Sequence, residues 1–114
     1  MRARLLLLPE LPDPRLNELR FDARVAELLP LRRTPAGVPV ASCVLAHESK
    51  QMEAGLSREV SVEVQAVAVG DLAGVLAGVK PGAVLRLSGF LAARSLRSRS
   101  PVLHLNTIEF LEGN

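Results

Sequence analysis

The sequence has no tryptophan, no tyrosine, three phenylalanines and one cysteine in 114 residues. So little aromatic surface limits any recognition mode that rests on stacking planar rings. A single cysteine excludes an internal disulfide. Cys43, within an apolar run, reads as a small buried hydrophobe suited to a reducing compartment, with the cytoplasm as the default.

Long apolar runs are missing too. The four leucines after MRAR fall short of a signal-peptide core of about 7–15 residues and of a membrane span of about 20. Pro9, Pro12 and Pro14 argue against a helix there. Residues 1–16 are therefore expected to be an irregular lead-in, either functional or an artefact of start-site choice, and no membrane contact is expected. The chemistry of catalysis is also scarce. There is no HExxH, CxxC, P-loop or GxSxG, and His47, His104 and Cys43 are widely separated, so no catalytic residue, metal or cofactor is expected. His47 reads as a surface group near a strand end and His104 as a satisfied strand histidine.

Acid is absent from one long stretch. Between Asp71 and Glu109 the charges are Lys80, Arg86, Arg94, Arg97 and Arg99, so that part of the chain is electropositive although the net charge is only +2. Its densest segment, ARSLRSRSP at 93–101, reads as a disordered linker, a modification site or a loop that grips an anion. Phosphorylation rests only on Arg–Ser adjacency.

What remains is an ordinary globular composition, 48% apolar and 23% charged, in a length that fits one domain. Such a domain buries roughly two thirds of the surface its unfolded chain exposes. LRFDARV alternates Leu19, Phe21, Ala23 and Val25 against Arg20, Asp22 and Arg24, the pattern of a first strand with one wet face. PLRRTPAG punctuates as an exposed basic loop, and VPVASCVLAHES reads as a second strand with Pro39 at an edge or strand start. KQMEAG turns the chain. LSREVSVEVQAVAV gives a long third strand with Val60, Val62, Val64, Ala66 and Ala68 on one face.

Leu72, Val75, Leu76 and Val79 then recur at helical spacing, with Asp71 as the expected cap and Lys80-Pro81-Gly82 as the stop. Gly70, Gly74 and Gly78 match a membrane-dimer spacing, but the segment is too short to span, so its small residues are expected to pack against a sheet. AVLRLSGFLA is a fourth strand in which Gly89 marks a bulge or bend, and VLHLNTIEFLE is a fifth. ARSLRSRSP therefore joins consecutive strands, which disfavours the linker reading.

Three strands, a short helix and two strands match the order of an all-β, five-stranded OB-fold Greek-key barrel with a short helix between strands three and four. SH3-like barrels also have five strands but lack a helix there. NELRFDARV, LRRTPAGVPVASCVLAHES, EAGLSREV and VKPGAVLRLSGFL resemble the primosomal replication protein N (PriB) family, from about Asn17 to the C-terminus. That family is itself similar to bacterial single-stranded DNA-binding protein. The resemblance implies an OB-fold domain over 17–114 and a cytoplasmic, nucleoid-associated homodimer, and strand one is the expected contact because an edge left open invites pairing. It also implies binding to single-stranded DNA and action in replication restart with the primosomal helicase PriA and other primosome proteins.

On that resemblance the DNA-binding candidates fall into three groups. Arg94, Arg97 and Arg99 occupy the family's basic hairpin, here shorter. Arg32 and Arg33 match the basic pair of the first hairpin, Arg33 being favoured. Lys50 and Arg58 flank the middle hairpin, with Arg58 the better match. Arg86 shares the outward phase of strand four, where it faces DNA or a partner subunit. Ser61 stands where some relatives carry an aromatic, and Glu48 where relatives can be basic. With stacking scarce, phosphate contacts should dominate. The competing expectation is an OB-fold interaction module of the primosome with only weak DNA binding, favoured by Glu59, Glu63, Glu109 and Glu112.

Overall fold

The structure, a computed structural model, describes residues 13–111. Most of the lead-in and the last three residues, Glu112 among them, lie outside that range. The elements in order are β1 (Leu19–Leu28), β2 (Arg32–Arg33), β3 (Pro39–Glu53), β4 (Leu56–Val69), α1 (Asp71–Ala77), β5 (Val84–Ala93) and β6 (Pro101–Phe110). The five strands read from the sequence are β1, β3, β4, β5 and β6.

These strands follow one another around the sheet as β1-β5-β6-β4-β3, and β1 pairs again with β3, closing the barrel. The chain is thus a five-stranded OB-fold. All ladders are antiparallel except β4 with β6, where Ala66 faces Leu103 and Val67 faces His104. Closure matters because an open barrel would expose a row of unpaired backbone groups.

Alternation accounts for the core. Ala23 and Val25 of β1, Ala41, Cys43 and Leu45 of β3, Ala66 and Ala68 of β4, and Leu85 and Leu87 of β5 all point inward and are buried. Small residues on β3 and β4 face leucines on β5 and β6, which lets large and small side chains fill a tapering interior. Helix α1 seals one end with Ala73 and Leu76, both fully buried. Among the described residues no helix is long and apolar enough to cross a membrane.

The irregularity expected at Gly89 is present, with the extra residue, Asn106, on the facing strand β6. The β5–β6 register shifts between Ser88 and Gly89, and a Cβ on Gly89 would stand 2.0 Å from the carbonyl oxygen of His104. The strands therefore approach more closely there than any side chain permits.

Several expectations are corrected. Asp71 makes no capping hydrogen bond. Gly70 is the N-cap, and Asp71 sits in the first turn, where its charge complements the helix dipole. Of the helix's small residues, Ala73 packs into the core beside Leu76 as expected, whereas a Cβ on Gly74 would meet nothing within 4 Å. The KQMEAG turn shrinks to Ala54-Gly55, because β3 runs on to Glu53. Ala54 (φ 53°) and Gly55 (φ 80°) both take the left-handed conformation that a tight two-residue hairpin needs. Polar side chains at Lys50, Gln51 and Glu53 suggest a turn, yet backbone pairing with β4 is indifferent to them. The 30–37 loop is exposed and basic as expected, but Arg32 and Arg33 pair with Val40 and Pro39 as β2.

The outer part of the β3–β4 hairpin projects beyond the barrel, so Val62 remains exposed although it shares the face of Ala66 and Ala68. Where it departs, β1 and β3 separate beyond the Arg24–Ala46 pair. His47 occupies that fork. Its Nδ1–H donates to the carbonyl of Asp22 at 2.6 Å, its Nε2 meets the Ser49 hydroxyl at 2.8 Å, and Gln51 donates to the same hydroxyl. His47 thus satisfies a carbonyl that the ladder leaves behind, with Phe21 packed against its ring. Strand β1 is consequently paired with β5 over Leu19–Arg24 and with β3 only from Arg24 onward.

Candidate nucleic-acid interface

On the outer face of the barrel lies an open groove of about 590 Å³. Arg32 and Thr34 form one side, Arg94 the other, and Ser42, Gln65 and His104 contribute to the floor. The fold explains the convergence. The segment after β1 runs along the rim of β3, with the Leu29 N–H donating to the Ser42 carbonyl at 3.0 Å, and this brings Arg32 to the groove. At the opposite side β5 delivers Arg94 at the end of its ladder with β6. The groove's apolar floor comes from outward residues such as Val44 and Val67, and Glu27 adds an acid at its edge.

Arg94, Arg97 and Arg99 share the β5–β6 loop, all exposed. The loop is held by its own hydrogen bonds. Arg94 N–H donates to the Ser100 carbonyl, Ser95 N–H to the Ser98 carbonyl, and Ser98 N–H back to the Ser95 hydroxyl, all within 2.9–3.0 Å. An ordered turn presents its charges with less entropy to lose on binding than a free coil would. Leu96, at its tip, is 94% exposed.

The remaining candidates stand elsewhere. The Arg33 guanidinium donates to the Gly37 carbonyl at 2.8 Å, bracing its own turn. Lys50 faces Glu59 across the β3–β4 ladder, and Arg58 is paired with Glu53 at 2.6 Å. Lys50 lies six residues along β3 from Val44, roughly 20 Å at strand spacing, so this hairpin is remote from the groove. Arg86 makes two hydrogen bonds to Asp22 on β1, at 2.7 and 3.0 Å, and faces Glu109 on β6. The bond from Arg86 holds the Asp22 carboxyl below its ordinary pKa, and Asp22 in turn raises that of Arg86. Arg86 therefore sits between two acids, its charge largely answered within the sheet.

Burial pushes the Cys43 thiol up to about 11, which keeps it protonated and inert at neutral pH. Among the described residues no three His, Cys, Asp or Glu side chains are grouped as metal ligands.

One pair escaped the sequence reading. Phe90 and His104 face each other across β5 and β6, their rings within 8° of parallel and 5.1 Å apart between centroids. Counting back three residues from the hairpin ends, where Ala93 meets Pro101, pairs them directly.

A closed five-strand barrel capped by a helix between its third and fourth long strands, with a basic groove on its outer face, defines the OB-fold class to which single-strand-binding proteins belong. A family model described as "another single-strand binding protein family" matches residues 17–107. The replication restart protein PriB of Bordetella pertussis is 40% identical over 99 residues, covering 87% of this chain and 92% of the relative. PriB of Neisseria meningitidis serogroup B is 35% identical over 97 residues, covering 85% and 96%. The three-dimensional structure of priB from Ralstonia solanacearum superposes with a TM-score of 0.77 at 35% identity, over 85% of this chain and all of that one. The single-stranded DNA-binding protein from Thermus aquaticus shares the fold, with a TM-score of 0.73 at 21% identity over 87% of this chain and 52% of that one. The chain belongs to the replication restart protein PriB family.

Proposed function

We propose that the chain is a single-stranded DNA-binding accessory protein of the primosome, acting in replication restart with the primosomal helicase PriA and gripping the strand mainly by phosphate contacts from basic loops. One observation carries the reading. Arg32 and Arg94, from loops far apart in the sequence, line opposite sides of a single open groove. Arg97 and Arg99 extend the positive rim on the same loop as Arg94. Arg33, Arg58 and Arg86 already hold partners within the chain, so their contribution is expected to be smaller, as is that of Lys50 beside Glu59.

Each neutralised phosphate releases counterions, so log affinity should fall with log salt by about 0.7 per contact on single strands, with little sequence preference. The test is anisotropy of labelled oligo-dT across a salt series, with an Arg97→Ala/Arg99→Ala variant alongside. Weaker binding and a flatter slope are expected. Unchanged affinity and slope in a folded variant would remove this loop from the site. The working unit is a cytoplasmic, nucleoid-associated homodimer. The stretch Leu19–Ala23, paired with β5 alone, is the contact because an edge of this kind accepts another strand. Sedimentation as a monomer at micromolar concentration would refute the dimer.

The second reading is an interaction module that touches DNA weakly, and it draws on Glu27 at the groove and on the row Asp22, Arg86, Glu109. Affinities for oligo-dT and for the helicase, measured in one buffer, separate the two. A far tighter helicase complex favours the module.

A further inference from the structure

The outer face of the barrel continues past the groove. Ser42 on β3 pairs with Val67 on β4, Val67 with His104 on β6, and His104 with Phe90 on β5, a row that crosses four strands. The groove takes in the first three members of that row, and Phe90 lies next to the third. His104 therefore has the groove on one side and a parallel phenyl ring on the other.

Of the chain's three phenylalanines, Phe21 is half-buried against His47, and Phe110 lies over the turn from Gly78 to Ala83 beside the helix. Phe90 is the one next to the groove, and it is 39% exposed. An exposed phenyl ring is costly to hydrate, and one laid flat on an imidazole stiffens it into a defined plane. Arg94 follows four residues later, just past the end of β5, so a planar surface and a phosphate-binding charge lie within roughly 13 Å. Aromatic faces accept any base, since every base has a π-face.

We propose that His104 is a base-stacking residue of the single-strand groove, with Phe90 as the positioning residue that holds its ring. This rests on the reading of the groove as a single-strand site and adds a base contact to its phosphate contacts. A nucleotide whose phosphate meets Arg94 lays its base on the groove side of His104, extending the His104–Phe90 pair to three planes. The site is sequence-tolerant and depends on the base being present.

The test compares oligo-dT with an abasic oligomer of the same length and phosphate count, at one low salt concentration. The wild-type chain should bind oligo-dT about tenfold more tightly, the scale of one stacked base. His104→Ala should bring that ratio close to one, Phe90→Leu should lower it partway, and His104→Phe should restore it, with circular dichroism establishing that each variant is folded. A purely structural cross-strand pair would leave the ratio untouched. Equal binding of both oligomers by the wild-type chain, or a ratio unchanged in His104→Ala, overturns the stack while the phosphate reading stands. Binding of neither oligomer refutes the single-strand groove itself, and the stack with it.

Discussion

The two long hairpins of this barrel carry similar numbers of cations and put them to different use. On β3–β4, Lys50 faces Glu59 and Arg58 is tied to Glu53, and the strands run out past the core, leaving Met52 and Leu56 in solvent. On β5–β6, Arg94, Arg97 and Arg99 stand on a short loop without an acid, and the strands beneath are welded to the barrel at Gly89. The number of basic residues on a loop therefore says little about its reach toward an anion. What matters is whether the cations are already answered and whether the backbone aims them at a shared groove.

The comparison breaks first at Gly89. Gly89→Ala should destabilise the fold by about 3 kcal/mol in chemical denaturation, because its Cβ meets backbone that cannot move aside. Val62→Ala in the projecting hairpin should cost under about 1 kcal/mol, its side chain being largely in water already. Equal effects would mean that the two hairpins are anchored alike.

Charge removal sharpens the comparison next. Loss of Arg97 and Arg99 together should flatten the salt slope of oligo-dT binding by about 1.4, and loss of Lys50 and Arg58 together by much less. A smaller effect belongs to the tip of β3–β4. Ala54 sits at φ 53° without being glycine, and Ala54→Gly should raise stability by about 0.5 kcal/mol, the relief of the left-handed backbone set against a more flexible unfolded chain. Thermal melting reads this directly, and a lower melting temperature would count against strain at the turn.

These contrasts also mark where sequence reading stops. Period-2 alternation identified the inward residues of β1, β4 and β5 because burial of one face imposes it, and the bulge at Gly89 was visible as a glycine inside a strand. Alternation reports which way a side chain points and is silent on depth, so Val62 and Ala66 look alike on paper while only Ala66 is buried. Strand length was misjudged at Lys50–Glu53, where polar side chains accompany regular pairing. The basic loops were legible from composition and resemblance. The partner of Arg86 was not, because Asp22 and Arg86 join strands far apart in sequence, whose adjacency and register only the closed barrel fixes.

The least of the expected effects concerns Arg86, which lies within β5 and not on a hairpin loop. Its bond to Asp22 lowers the carboxyl's folded pKa beneath the ordinary 3.8. A carboxylate depressed on folding adds stability above its unfolded value and loses that stability as the pH falls through its folded one. The contribution is thus present at neutral pH and disappears in strong acid. Solvent reaches both side chains, which screens the pair and keeps its effect below those of Gly89 and Ala54. Asp22→Asn should accordingly lower the melting temperature slightly at pH 7 and leave it unchanged at a pH well below Asp22's folded value. The same substitution removes one of the two acids beside Arg86 and leaves Glu109, so oligo-dT should bind slightly more tightly with a slightly steeper salt slope. An unaltered slope would establish that Arg86 is a sheet residue alone, and that the anion site ends at the β5–β6 loop and the groove.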